Sequence, residues 1–236
     1  DYSAVFAHPS PAHWLGADNL GRDTLSRLLY GARTSLSVGI FSQAILVAIG
    51  VPVGALAGWL RGRGDNLLMR FVDVVYAFPD LLLIILLRSI FGGSIYMIFV
   101  AIGLVEWTTL ARLTRAQALS LREREYVLAA RALGARWHEV LFRHLLPNGL
   151  GPLVVAMVFG IPRAIFAEAA LSYIGIGVEP PTPSWGGMVQ DGYQAIFNAP
   201  HLLLAPSLTI AVVTLAFTFL ADALRDALDP HTSVRY

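Results

Sequence analysis

Thr34–Leu60 reads TSLSVGIFSQAILVAIGVPVGALAGWL, 27 residues between Arg33 and Arg61 without a single Asp, Glu, Lys or Arg. A helix needs about 20 mostly apolar residues to cross the hydrocarbon core of a bilayer, so this stretch predicts a membrane span. A second uncharged run, the 30 residues between Asp191 and Asp222, lies near the other end of the chain. Working outward from these two gives five spans: Thr34–Leu60, Leu67–Leu87, Ile95–Leu113, Leu150–Gly175 and Leu202–Leu224. The middle three carry charges. The composition agrees: the 236 residues are 56% hydrophobic and 14% charged, with a mean hydropathy of +0.63, where a soluble domain carries about 25% charged residues. The expected fold is an all-α polytopic membrane helix bundle, residues 1–236 forming one transmembrane domain. A net charge of +1 gives no reason to expect a nucleic-acid partner.

The first span carries Gly50, Gly54 and Gly58, spaced by four and therefore on one helix face, where two backbones can approach closely. Pro52 should bend the helix.

Arginine placement orients the chain, because cytoplasmic loops of membrane proteins are enriched in positive charge. Arg61 and Arg63 precede the second span and Arg70 lies in its first turn, Arg112–Arg143 holds seven arginines, and Arg225 and Arg235 follow the last span, 12 in all on one side. Arg22, Arg27, Arg33 and Arg88 make 4 on the other, with Arg163 inside a span. The C-terminus and residues 112–148 should then be cytoplasmic, and residues 1–33 and 177–200 extracytoplasmic. An N-terminus on the outer side, with no apolar signal segment in Asp1–Arg33, leads to the expectation of one further helix upstream of Asp1.

Asp18–Arg33 (DNLGRDTLSRLLYGAR) places Leu25, Leu28 and Leu29 on one helical face and Asp23 and Arg27 on another, predicting a short amphipathic helix at the membrane surface or packed on protein. Arg115–Asn148 is rich in helix formers and too charged to cross a bilayer. It reads as two helices joined by a turn at Gly134, a good C-cap position, with Pro147 stopping the second. Tyr126, Val127, Leu128, Trp137 and Leu141 are more apolar surface than a free cytoplasmic loop should show. Either a partner covers them or they fold back on the spans. In residues 177–200, Pro180, Pro181 and Pro183 stiffen a loop ahead of Trp185-Gly186-Gly187, suiting a docking surface or an outer plug.

Catalytic patterns are missing. There is no cysteine, and all 17 basic residues are arginine, so a P-loop lysine is absent. His138-Glu139 begins like a zinc-protease motif, but Phe142 stands where the second histidine belongs. No catalytic residue and no metal site is assigned. The notable polar groups are those inside spans, where each ionised group costs about 2.5–3.5 kcal/mol at the bilayer centre. Asp73 and Asp80 are seven apart, on one face of the second span. Asp73, Glu106 and Asp222 lie near span ends and suit pairing. Asp80, Arg163 and Glu168 are candidates for lining a translocation path, the alternative being that they pair with each other or with a partner subunit, or lie near the interface.

At Ala129-Ala130, Gly134 and Leu146-Pro147 the sequence resembles the EAA loop of ABC importer permeases. HWLGADNLGRDTLSRLLYGARTSL (His13–Leu36), EAALSYIGIGVEPPTPSWGGM (Glu168–Met188) and LRDALDP (Leu224–Pro230) are similar to the second permease subunit of dipeptide, oligopeptide and nickel importers. The resemblance runs over nearly the whole chain, and that family usually has six spans, the one lacking here being the first. It implies a bacterial inner-membrane permease for peptides, working with a second homologous permease, two cytoplasmic ATPases that bind ATP and magnesium, and an extracytoplasmic substrate-binding protein. It implies an ATPase contact by Leu128, Ala129, Ala130, Arg131, Gly134, Ala135, Arg136, Leu146 and Pro147. One departure stands out: the family's Glu before the two alanines is Leu128 here, which moves the expected contact toward apolar burial or toward Arg131 and Arg136. The same family also imports nickel chelates, glutathione and glycosides. An ion-coupled transporter or a structural membrane subunit is the reading from a different class.

Overall fold

The computed structural model describes residues 4–60, 62–92 and 94–228. Arg61, Arg235, His231 and the Asp229-Pro230 end of LRDALDP lie outside the described residues. Among the described residues the fold is all-α: α1 Thr24–Leu60, α2 Gly62–Tyr76, α3 Asp80–Phe91, α4 Ile95–Leu121, α5 Glu125–Ala132, α6 Trp137–Val140, a π-helical turn Leu141–Leu145, α7 Leu146–Tyr173, α8 Trp185–Gln194 and α9 His201–Leu228. Among these residues four helical runs are long and apolar enough to cross a membrane: Thr24–Leu60, Ile95–Leu121, Trp137–Tyr173 and His201–Leu228. The α2–α3 pair supplies a fifth if the bent pair is one span.

Three expectations change here. The second span is not one helix, because the chain breaks between Tyr76 and Asp80, ahead of which Pro79 withholds a backbone donor. Asp73 and Asp80 therefore do not share a helical face. The Asp18–Arg33 segment holds no separate amphipathic helix: α1 starts at Thr24, with Asp23 Oδ2 accepting from the Ser26 backbone N–H at 2.8 Å as an N-cap, and runs unbroken to Leu60, through Pro52. Pro147 does not stop a helix. The π turn precedes it, the Leu146 N–H reaching back five residues to Leu141 O, and Asn148 Nδ2 donates to His144 O at 2.6 Å. The missing proline donor is absorbed in that widened turn, and helix continues from Trp137 to Tyr173.

Two compact units divide the chain. The first comprises Asp1–Ser42, Ile84–Ile102 and Gly160–Phe217. Its core gathers Ile165, Trp185 and Ile210, with Leu28, Ala32, Leu36, Ile161 and Ala169 against them. The Trp185 indole N–H donates to Leu28 O at 3.0 Å, so the WGG sequence is not an exposed docking loop. It opens α8 inside the core, Trp185 being 2% exposed. Ahead of α1, Asp18 is buried and accepts from the Leu20 and Arg22 backbone N–H groups at 2.8 and 2.9 Å. Its other oxygen takes Arg22 Nε at 2.7 Å and Arg27 Nη1 at 2.6 Å. Burial raises the Asp18 carboxyl, but these donors and the Arg27 charge outweigh it and hold its pKa below the ordinary value.

The second unit comprises Gln43–Leu83, Gly103–Phe159 and Thr218–Tyr236. Here α1 lies on α4 through the glycine face read from the sequence. A Cβ on Gly50 would sit 2.8 Å from Trp107 O, one on Gly54 would overlap Ala111 O and come 2.7 Å from Thr114 Cβ, and one on Gly58 would sit 2.6 Å from Ala118 Cβ. Around this contact pack Leu46, Val72, Trp107, Leu110, Ala111 and Leu153. Two ion pairs tie α2 to α4: Arg115 to Asp65, bidentate at 2.6 Å, and Arg112 to Asp73 at 2.8 Å, with Arg112 also 4.0 Å over the Tyr76 ring.

Gly54→Ala should destabilise the detergent-solubilised protein by about 1–3 kcal/mol, the usual cost of overpacking. Gly151→Ala, whose Cβ would meet Leu228 Cβ at an ordinary 3.5 Å, should leave the melting temperature nearly unchanged. Thermal melts of the two variants check this. The Asp18 pKa is lower in the folded state, so its stabilisation is complete above its unfolded value of about 3.9 and is lost as pH falls through the folded one. Melting temperature should therefore drop below about pH 4, and Asp18→Asn should be less stable at neutral pH with a flatter acid limb.

Candidate functional site

In the second unit, residues 122–145 form a hairpin. α5 ends in a Schellman motif: Gly134, at φ +87°, donates to Arg131 O at 3.0 Å and Ala135 N–H donates to Ala130 O at 3.1 Å. Gly134 is thus the capping glycine that the sequence indicated, one residue past the C-cap Leu133. α6 starts where the Glu139 carboxylate accepts from the Arg136 backbone N–H at 2.8 Å.

The apolar residues of the hairpin divide between two sides. Val127, Val140, Leu141 and Leu145 are buried with Ala55 of α1, and Trp59, Leu121 and Ala135 pack around them. Leu128 (50% exposed), Leu133 (89%), Trp137 (50%) and Phe142 (66%) face outward. The fold-back reading holds for Val127 and Leu141, while Leu128 and Trp137 remain open. Of the residues expected to contact an ATPase, Leu128, Ala129, Arg131, Gly134, Arg136 and Pro147 are exposed, and Ala130, Ala135 and Leu146 are partly so.

In the first unit a carboxylate is sealed inside. Glu168 on α7 is 0% exposed. Its Oε1 accepts from Ser172 Oγ at 2.7 Å and Ser184 Oγ at 2.8 Å, and its Oε2 from Ser35 Oγ at 3.4 Å. Two of these serines make further bonds: Ser184 Oγ accepts from the Gly187 N–H as the N-cap of α8, and Ser35 Oγ accepts from the Trp185 N–H. Glu168 thus joins α1, α7 and the start of α8. Arg163, five residues earlier on α7, is exposed. The two do not form a joint lining, and Glu168 serves as an internal tie. Asp80 starts α3 and is half-buried, a position where a carboxylate complements the helix N-terminus. The sequence indicated Glu168 but not its partners. Ser172 could have been found from its i, i+4 spacing, whereas Ser35 lies 133 residues away and leaves no local signal.

Arg88 was also missed. It is 4% exposed and donates to the carbonyls of Ile176, Gly177, Gly92 and Ser94. These bonds pin the chain that follows α7 and form one wall of a cavity of about 440 Å³, which Arg22, Arg27, Glu179, Gln190 and Asp191 also line. No three His, Asp or Glu side chains meet in metal-holding geometry among the described residues.

Glu168→Ala would leave buried hydroxyls without their acceptor, a loss of about 2–4 kcal/mol. Arg163→Ala, on an exposed position, should stay within about 0.5 kcal/mol. Thermal melts of both variants in detergent distinguish a tie from a lining residue.

The family described as binding-protein-dependent transport system inner membrane component matches residues 50–234. The chain is 43% identical to the glutathione transport system permease protein GsiD of Pectobacterium atrosepticum, over 98% of this chain and 76% of that one. It is 41% identical to the oligopeptide transport system permease protein OppC of Bacillus subtilis (94% and 73%) and 42% identical to the dipeptide transport system permease protein DppC of the same organism (94% and 70%). Among solved structures the fold matches an inward-facing form of the MetNI methionine ABC transporter at a TM-score of 0.71, covering 87% of this chain and 98% of that one at 19% identity. These matches and the membrane-spanning helices agree: the chain belongs to the binding-protein-dependent inner membrane components and is an integral-membrane permease subunit of an ABC importer.

Proposed function

We propose that this permease passes dipeptides or oligopeptides, and that the α5–α6 hairpin is its docking point for a cytoplasmic ATPase. The observation that carries the docking assignment is the outward set Leu128, Leu133 and Trp137. It sits in a segment whose arginine density keeps it out of lipid, so a protein surface is what would cover it. The assembly would hold a second, homologous permease, two ATPase subunits and an extracytoplasmic binding protein that meets the Gly177–Pro200 side. The arginine count supports a cytoplasmic hairpin and C-terminus. ATP and magnesium would belong to the ATPases, and this chain would do no covalent chemistry. The peptide substrate rests on the named relatives. The glutathione permease among them keeps glutathione, itself a small peptide, in the same class.

Ala129→Arg puts a long cation on the exposed face of α5, and Gly134→Pro forces φ away from +87°. Each should abolish ATP-driven uptake while leaving membrane insertion intact. The complex is purified in mild detergent and assayed for retained ATPase subunits. Full uptake by both variants, or no ATPase retained by the wild type, would refute the docking assignment. Mass spectrometry of the ligand carried by the cognate binding protein tests the substrate class.

A further inference from the structure

We propose that Trp59 is a positioning residue for energy coupling, clasped between Arg122 and Arg131 so that α5 and the last turns of α1 move as one piece. This rests on the assignment of α5 as the ATPase-docking helix and names the residue through which that helix acts.

Trp59 is the penultimate residue of α1. The Arg131 guanidinium, on the last turn of α5, lies 5.6 Å from its ring centroid, and that of Arg122, from the link between α4 and α5, lies 5.7 Å away. Both distances are within cation–π range. Arg122 Nη1 also donates to Gly58 O at 3.0 Å and Trp59 O at 2.9 Å. These are carbonyls of the final turn of α1, which have no partner within the helix and carry its negative dipole end. One arginine therefore grips both the ring and the backbone of the helix end, and a second grips the ring from α5.

Apolar packing extends the clasp. Val127, on the inner side of α5, is 0% exposed and shares a cluster with Ala55, one turn before Trp59. A load on the outer face of α5, at Leu128 or Ala129, would press Val127 and Arg131 against α1 rather than into solvent. Backbone contact at Gly50, Gly54 and Gly58 passes that load on to α4. Close-packed contacts of this kind transmit displacement instead of absorbing it. An anchoring role for Trp59 at the membrane–water boundary would concern insertion and leave coupling alone, so the two roles separate in a coupling assay.

The test uses the whole transporter in proteoliposomes: this chain, its second permease, the ATPase subunits and the binding protein purified with its own bound ligand. The readout is the factor by which the binding protein stimulates ATP hydrolysis. Trp59→Ala should reduce that factor about tenfold, and Trp59→Phe, which keeps an aromatic face, should restore most of it. The chain has no cysteine of its own, so a second variant combining Ala55→Cys and Val127→Cys can be cross-linked cleanly. If α5 and α1 move together, the oxidised variant keeps its stimulation. Undiminished stimulation in Trp59→Ala, or stimulation lost on oxidation of the double variant and regained with dithiothreitol, overturns the proposal. If Trp59→Ala does not assemble, the cross-linked variant decides alone. Failure of the underlying docking assignment looks different, because stimulation would then survive Ala129→Arg and Gly134→Pro as well.

Discussion

Backbone contact between α1 and α4 is the constraint on which the second unit depends. Most helix pairs keep their axes 8–10 Å apart because side chains stand between them. At Gly50, Gly54 and Gly58 nothing stands between, and a single added Cβ would collide with Trp107 O, Ala111 O or Ala118 Cβ. In a bilayer, lipid tails are as apolar as leucine, so helix association draws on close van der Waals packing of this kind. The polar ties then fall into place around it. Arg115 and Arg112 extend from α4 to Asp65 and Asp73 on α2, and Arg122, just past the end of α4, returns to the carbonyls that close α1.

The first unit uses a different kind of fixed point. Its centre is a carboxylate, not a glycine seam. Glu168 has no exposure, and a buried charge or polar group is tolerable only when its hydrogen-bonding capacity is met. Three serine hydroxyls from three separate stretches of chain meet it. The cost of failing to satisfy that group specifies where Ser35, Ser172 and Ser184 must lie. This in turn sets the start of α8 and the burial of Trp185. Arg88 serves the same end, holding the carbonyls that follow α7 where helix no longer does.

Spans, glycine face and the Gly134 turn were legible in the sequence because each depends on local pattern. Uncharged length marks a span, a four-residue glycine period marks a face, and a lone glycine after a helix-forming run marks a left-handed cap. What was misread depends on competition between neighbours. Pro79 broke a span that hydropathy alone ran together, whereas Pro147 broke nothing because the π turn before it and the Asn148 side chain took up its defect. Composition cannot tell those two prolines apart. The partners of Glu168 were hidden for another reason: a hydrogen bond across 133 residues has no sequence period. Glu168 and Arg163, both singled out by the sequence, lie five residues apart on α7 and so on different sides of the helix, one buried and one exposed.

The substitution at Leu128 can now be weighed against its surroundings. An ATPase contact made by a carboxylate at that position is not available to this chain, and one of the two arginines that could replace it is partly committed. Arg131 lies over the Trp59 ring, while Arg136 begins α6 through its backbone N–H and keeps its side chain exposed. The outward apolar groups are Tyr126, Leu128, Ala129, Leu133, Trp137 and Phe142. On the proposed docking, recognition would then be mainly burial of this apolar ridge, which is non-directional and insensitive to salt. Such a ridge sets no orientation by itself, and an aromatic anchor flanked by small residues gains affinity chiefly by filling a pocket. Orientation would have to come from how rigidly the ridge is mounted. That requirement falls on the inner side of the hairpin, where Val127, Trp59 and the two arginines hold α5 to α1. On that docking, the stiff mount would supply the orientation that Leu128 cannot.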